Sequence, residues 1–365
     1  IRQDEPVLAT DEVSYHHQVV ALVVAHSYAQ ARAAAAAVEV EYAPLPAVLG
    51  IAAALEAESF HTAPHRIRRG DCDAALASAR HRLEGTLDLG GQEHFYLETQ
   101  ASFARPGEDG TLFVSASTQH PSEVQALVAH ALDLPRSAVV VQSPRMGGGF
   151  GGKETQAASW ACLVALAARV TGRPVRVQLD RDLDMAITGK RHPFFARFSV
   201  GFDDDGALTA ARVELFSDGG WALDLSESIT DRAVFHLDNA YYIPHVDFSG
   251  RVVKTHVTSQ TAFRGFGGPQ GMVVIEDILD RVARTLALPP EVVRARNFYR
   301  GEGETCTTHY GERIEDNRIE RVWSGLMASS DFAARRAAVD AFNATSPRIK
   351  RGIAITPVKF GISFT

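Results

Sequence analysis

The chain has 365 residues, 45% hydrophobic and 22% charged, the composition of an ordinary globular protein with room for two or three cores. A formal net charge of -7 excludes general affinity for nucleic acid or an anionic membrane. Three scattered cysteines, Cys72, Cys162 and Cys306, form no CxxC pair, which argues against a disulfide framework, a thiolate zinc site or an iron–sulfur cluster and points to a reducing cytoplasmic setting.

No apolar run has the length of a membrane span or the form of a signal peptide; residues 31–38 are alanine-rich and interrupted. Residues 19–25 read as a buried strand, an alanine-rich helix follows through Ala37, and 38–42 alternate apolar and acidic as a second strand ended by Pro44 and Pro46. The polar stretch from His61 to Asp73 reads as a linker, after which 82–89 resume strand character. The pattern is α+β, with a small α/β unit over residues 1–70 and a large mixed domain over 71–365.

In the larger unit, a strand over 111–118 delivers Gln119 at its end, and Pro121 and Ser122 open a helix over 123–132 with Val124, Leu127, Val128 and Ala131 on one face. A strand at 138–142, a glycine run and a helix over 155–170 follow. Strands over 195–202 and 208–216 are joined by Asp203-Asp204-Asp205-Gly206, a hairpin turn signal. A second glycine-rich turn at 265–268 precedes a helix over 270–286. The chain opens at Ile1 without methionine and stops at Thr365 beside an aromatic, glycine-bearing strand, which predicts a piece of a longer polypeptide.

The run Gly147-Gly148-Gly149-Phe150-Gly151-Gly152-Lys153-Glu154 sets five glycines around one phenylalanine between a strand and a helix. Glycine permits positive φ and close backbone approach at an entropic cost, so a large group is expected against this backbone, near a helix N-terminus suited to an anion. Neither phosphate motif fits: Gly-x-Gly-x-x-Gly is present only with a phenylalanine and a wrong continuation, and in the Gly-x-x-x-x-Gly-Lys-Ser/Thr form Glu154 stands where a magnesium-binding hydroxyl belongs and would repel a triphosphate. The cluster Ala262-Phe263-Arg264-Gly265-Phe266-Gly267-Gly268-Pro269-Gln270 repeats the grammar of glycine, aromatic and cation. Arg264 offers a planar fork of donors and Phe266 a stacking face, while a surface turn with a solvated arginine is the plain alternative.

Alternation over 92–98 puts His94, Tyr96 and Glu98 on one side of a strand, with no second histidine cluster to complete a metal site, so buried hydrogen bonding is the better reading. Arg232 alone reads as a solvated or salt-bridged helix residue.

Taken together, residues 90–99, 145–155, 262–270, 295–299 (Ala295-Arg296-Asn297-Phe298-Tyr299) and 359–365 (Lys359-Phe360-Gly361-Ile362-Ser363-Phe364-Thr365) resemble, in order, the molybdenum-binding portion of the xanthine dehydrogenase and xanthine oxidase family. The resemblance implies a small hammerhead-like α/β domain at 1–70, then the first large molybdopterin-binding domain at 71–365, with the second molybdopterin domain absent. It implies oxidative hydroxylation of hypoxanthine to xanthine and of xanthine to urate, at a molybdenum held by a pterin dithiolene with no direct side-chain ligand. Gln119, Phe150 and Arg264 would surround the metal, with Gly149 and Gly151 against the cofactor. Glu154, Arg232, Phe266, Phe364 and Thr365 would line the substrate pocket. Phe266 and Phe364 would sandwich the purine, Glu154 and Arg232 would bond its opposite polar edges, and Arg232 would stabilise negative charge building on the ring.

In the family a glutamate in the second molybdopterin domain is the general base, so Glu154 is read as a binding group. Electrons would leave to 2Fe-2S clusters and FAD, with NAD as acceptor, in other domains or on a separate subunit, within a cytoplasmic dimer of the complete unit. Two alternatives stand beside this reading. An aldehyde oxidase on the same scaffold would tend to replace Glu154 and Arg232 with apolar residues. A non-catalytic binding module would have kept the fold without the metal.

Overall fold

The computed structural model describes residues 4–361. In chain order the elements are α1 (Tyr28–Ala36), α2 (Gly50–Glu56), β1 (His65–Arg69), α3 (Cys72–Ser78), β2 (His81–Leu89), β3 (Ala101–Pro106), β4 (Leu112–Ala116), α4 (Pro121–Ala131), β5 (Val139–Gln142) and α5 (Ala157–Thr171). Then come β6 (Val175–Gln178), α6 (Arg181–Ile187), β7 (Phe194–Phe202), β8 (Leu208–Asp218), α7 (Ser226–Phe235), β9 (His245–Val253), α8 (Gly268–Leu286), α9 (Pro290–Arg296), α10 (Ile319–Ser329) and α11 (Phe332–Thr345). The fold is α+β, and among the described residues no helix is long and apolar enough to cross a membrane.

One sheet has five strands in the order β1-β9-β8-β7-β2, antiparallel except for the parallel β8–β9 pair. Phe194, Ala196, Phe198, Val200 and Phe202 of β7 turn to one face with the period of two that a pleated strand imposes. They meet Val274, Ile275, Ile278, Leu279 and Val282 of α8, whose i, i+3, i+4 spacing makes one apolar stripe. Helix α7 lies on β9 and α8, and Gly250 lets it approach closely, since a Cβ there would sit 2.7 Å from Val234 Cγ2 and 2.8 Å from Thr230 Cγ2.

The other sheet has four strands in the order β5-β4-β3-β6, with β4 and β5 parallel. Helices α4 and α5 cover it, and the alanine-rich face of α5 (Ala158, Ala161, Ala165, Ala168) lets that helix sit close to the strands. Because β4 and β5 are parallel neighbours, Gln119 after β4 and the glycine run after β5 leave the same end of the sheet. The carboxyl ends of adjacent parallel strands are where open α/β sheets place ligands.

Three sequence-based expectations do not survive. The supposed linker at 61–73 contains β1, which pairs with β9 at the sheet edge and exposes Arg66 and Arg68. Residues 19–25 and 38–42 form no ladder; Val19 and Leu22 pack instead on Trp160, Leu163 and Leu179, a use of apolar side chains that needs no strand partner. Residues 92–98 are not a strand, and only Gln92 makes a bridge, to Arg191. By contrast the hairpin at 203–206 is present, with Gly206 at φ 81°.

Gly250→Ala is expected to lower the stability of the protein by about 1–3 kcal/mol by wedging α7 off β9. Val234→Ala in the same chain should restore a measurable part of the thermal midpoint, because it removes the nearest obstructing methyl.

Candidate functional site

The two glycine-rich loops are bonded to each other. Arg264 N donates to Phe150 O at 2.9 Å, and a Cβ on Gly151 would lie 2.6 Å from Ala262 O. The glycines therefore serve close approach between backbones, and Gly151 adds φ 100°, which L side chains rarely adopt. Phe150 and Phe266 stand at corresponding places with φ 53° and 48°. Non-glycine residues in this region carry strain that surrounding structure must hold, a feature concentrated at functional sites. Phe150 presents a half-exposed ring, whereas Phe266 is buried beside Ile229 and Ala262.

Gln119 organises the first loop. Its Oε1 accepts from Gly151 N at 2.8 Å and Lys153 N at 3.3 Å, while its own N–H donates to Lys153 O at 2.8 Å. Gly149 must lack a side chain here, because a Cβ would lie 2.5 Å from Gln119 Oε1. With the oxygen facing two backbone donors, the amide orientation is determined and the NH2 group is turned away from the loop. The expected anion cradle is thus partly filled by the protein itself. Gly147 N donates to Glu98 Oε2 at 2.7 Å, and Gly152 N and Glu154 N bond within the loop.

The second loop rests on α7. A Cβ on Gly267 would overlap the Ile229 carbonyl oxygen, and one on Gly271 would overlap that of Ala233. This contact puts the loop beside Arg232, which is buried on α7, donates from Nη2 to Gly361 O at 2.8 Å and lies with its guanidinium 4.9 Å from the Phe360 ring centre. Burial lowers its pKa. Gln119, Gly149, Phe150, Gly151 and the backbone of Arg264 are thereby joined in one assembly, with Phe266 and Arg232 attached through the Gly267 contact. The Arg264 side chain is exposed. Phe364 and Thr365 lie outside the described residues.

Two buried cations hold the loops from behind. Lys153 is 0% exposed, and its Nζ donates to Glu98 O at 2.7 Å, Thr99 O at 3.3 Å and Ser117 Oγ at 2.8 Å, 3.6 Å from the Glu98 carboxylate. Burial lowers its pKa against the pull of Glu98. Arg191 stacks 4.1 Å over the Phe263 ring and donates to Gln92 Oε1 at 2.6 Å and Arg264 O at 2.8 Å. Burial brings its pKa down to about 10. His94, with burial lowering its pKa, bonds Ala262 O at 2.6 Å, so the residues at 94–98 serve buried hydrogen bonding as read from the sequence.

Carboxyls gather on the Glu154 side. Burial first, then Asp224, raises the Glu154 pKa. Burial pushes Asp224 up to about 6, although its Oδ2 accepts from Thr155 Oγ1 at 2.9 Å and Gln156 Nε2 at 3.1 Å. Burial and Asp224 push Glu5 up to about 7. Sequence reading passed over Lys153, Arg191, Asp224 and Glu5 as site-forming groups. Only Lys153, a charge inside a glycine run, carried a signal that could have been used.

Among the described residues no three His, Cys, Asp or Glu side chains converge as metal ligands. The residues present fit an anionic organic group that brings its own metal: Lys153, Arg191 and Arg232 are buried cations whose charged forms burial disfavours, and the Gln119 NH2 group is turned away from its loop.

Fold and site define a cofactor-binding domain. Residues 56–298 match the model for the molybdopterin cofactor-binding domain, more than half of the chain, and the chain belongs to that family. Residues 1–46 match the a/b hammerhead domain of aldehyde oxidase and xanthine dehydrogenase. The chain is 46% identical over 366 aligned residues to xanthine dehydrogenase/oxidase of Mus musculus and 43% identical to xanthine dehydrogenase 1 of Arabidopsis thaliana, with 100% and 99% of this chain aligned. It spans only 27% of the length of either relative. Among solved structures, aldehyde oxidoreductase from Desulfovibrio gigas superposes with a TM-score of 0.86 at 29% identity, over 94% of this chain and 38% of that one. Quinoline 2-oxidoreductase from Pseudomonas putida 86 gives a TM-score of 0.83 at 29% identity, over 93% of this chain and 44% of that one.

The raised carboxyls predict a pH dependence. A carboxyl whose native pKa lies above its unfolded value contributes stability at low pH that is lost as pH rises through the native value. Thermal midpoints should therefore fall between about pH 4 and pH 7, and Asp224→Asn should flatten that fall by roughly 3 °C. Scanning calorimetry across the range checks this; an unchanged slope contradicts it.

Proposed function

We propose that this chain forms part of the molybdenum site of a xanthine dehydrogenase-type purine hydroxylase. The observation that carries the reading is the pair of glycine-aromatic loops bonded at Phe150 O and Arg264 N, with Gln119 locked under one and Arg232 behind the other. A molybdenum-pterin group, when bound, supplies two-electron oxidation and the transfer of an oxygen derived from water to a carbon of the heterocycle. This chain would hold that group through the outward NH2 of Gln119, the backbone at Gly149 and Gly151, the ring of Phe150 and the exposed fork of Arg264.

On the substrate side, Arg232 meets the polar edge of a purine and stabilises negative charge that builds on the ring. Such stabilisation is strong because the guanidinium is already desolvated and fixed by Gly361 O. Glu154, its pKa raised by burial and by Asp224, bonds the opposite polar edge of the heterocycle. Phe266, Phe364 and Thr365 complete the pocket, with the two rings enclosing the heterocycle and excluding water.

The rest of the enzyme lies outside this chain in this reading. The small unit over 1–70 and the larger one over 71–365 serve as hammerhead and first molybdopterin-binding domains. A second molybdopterin domain supplies the proton acceptor, and 2Fe-2S clusters and FAD pass electrons to NAD in a cytoplasmic dimer. Relatives of which this chain spans about a quarter have room for such parts.

Assay of the full-length protein on xanthine and on an aromatic aldehyde tests the reading, and faster aldehyde turnover would replace it with the aldehyde oxidase alternative. Metal analysis bears on the binding-module alternative, which absent molybdenum and pterin after full maturation would favour. Arg232→Met should lower kcat on xanthine by about 100-fold or more while molybdenum content holds. Glu154→Val should move the ratio of kcat/KM values toward aldehyde by roughly 10- to 100-fold. Unaltered turnover or ratio counts against the role assigned to that residue.

A further inference from the structure

Residues 355–361 have no ladder partner, yet they run a defined course past the end of α7. Side chains from the turn after that helix take the place of a neighbouring strand. Asn239 reads the segment's backbone with both ends of its amide: Oδ1 accepts from Lys359 N at 3.0 Å and Nδ2 donates to Pro357 O at 2.9 Å. Lys359 then folds back, and its Nζ meets Asp238 Oδ2 at 2.6 Å. The Phe360 ring lies 5.3 Å from that of His236, and Gly361 O accepts from Arg232. Thus Arg232, His236, Asp238 and Asn239, from one helix end, grip Pro357, Lys359, Phe360 and Gly361 of the passing segment.

The grip is rooted in the core. Asp238 has a side chain 2% exposed and also accepts from Tyr299 OH at 2.6 Å. Burial works to raise its pKa, but Lys359 and His309 together outweigh burial and hold it at about 2. Asn239 Nδ2 also reaches Glu276 Oε1 at 2.9 Å, which takes Tyr241 OH at 2.5 Å, while the other oxygen of Glu276 takes Arg294 Nε at 2.6 Å. A buried ion pair adds little net stability over an apolar pair, but it specifies one arrangement, and losing one partner strands the other charge.

We propose that Asp238, Asn239 and Lys359 form a clamp that positions Arg232 for substrate by holding Gly361 O on its guanidinium. This rests on the purine-hydroxylase reading above. The three are positioning residues: they act through Arg232. Their side chains hold no cofactor or substrate in this assignment, which separates their expected effects from those of Gln119 or Arg264.

The test uses the full-length protein with Asp238→Asn and, independently, Lys359→Met, so that a folding failure of one variant leaves the other decisive. Expected are a roughly tenfold loss of kcat/KM on xanthine, expressed chiefly in KM, with molybdenum and pterin content at the wild-type level. Hydrogen exchange of the backbone over 355–361 should quicken in both variants, and Lys359→Arg should recover part of the KM. Wild-type KM, or a KM change accompanied by equal loss of molybdenum, overturns the clamp. If the wild-type protein does not oxidise xanthine, the purine reading fails on that result alone. Exchange over 355–361 still decides the clamp, and unchanged exchange overturns it.

Discussion

The contact on which the site depends is the close approach of two backbones, Gly151 against Ala262 O and Arg264 N against Phe150 O. Each loop belongs to a different sheet-and-helix layer, the first following β5 of the four-stranded sheet and the second preceding α8 over the five-stranded one. A side chain at Gly151 would push them apart by a distance that neither layer could absorb, since both are anchored by full cores. The same join places Gln119, carried by β4, within one assembly with Arg232, carried by α7. The position of Gln119 relative to Arg232 is thus set by one backbone contact between two separately packed layers.

Local chemistry was legible where a single stretch carried it. The glycine runs, the strand ending near Gln119, the helix opened by Pro121 and the hairpin through Gly206 all show in spacing and residue type. Family resemblance added the family and the fold, which the match over residues 56–298 and the likeness to a solved aldehyde oxidoreductase bear out. The strand at 65–69 was hidden because four of its five residues are cationic or histidine; it is an edge strand, and an edge has no need of an apolar run. Residues 19–25 misled in the opposite sense, since an apolar run indicates burial and says nothing about whether a strand or a helix does the covering.

The supporting charges were hidden for a different reason. Lys153, Arg191, Asp224 and Asp238 look like surface residues in sequence because composition gives no hint of what covers them. Their burial follows from contacts across long separations, such as Arg191 with Arg264 O and Lys359 with Asp238. Desolvation then makes each of them matter, because a charge removed from water acts strongly on its neighbours and must be matched by named donors or acceptors. Sequence can single out residues by type and spacing; the residues that hold them in place are selected by the fold.

Charge is also divided in space. Lys153 and Arg191 stand behind the two loops and Arg232 on the helix beneath the second, while Glu154, Asp224 and Glu5 gather where the first loop enters α5. Burial disfavours ionisation on both sides, lowering the pKa of the cations and raising that of the acids. The run 147–154 thus sets a cation, Lys153, directly beside an acid, Glu154, and burial acts against the ionised form of each, so the fold that buries the loop fixes its charge balance as well as its backbone.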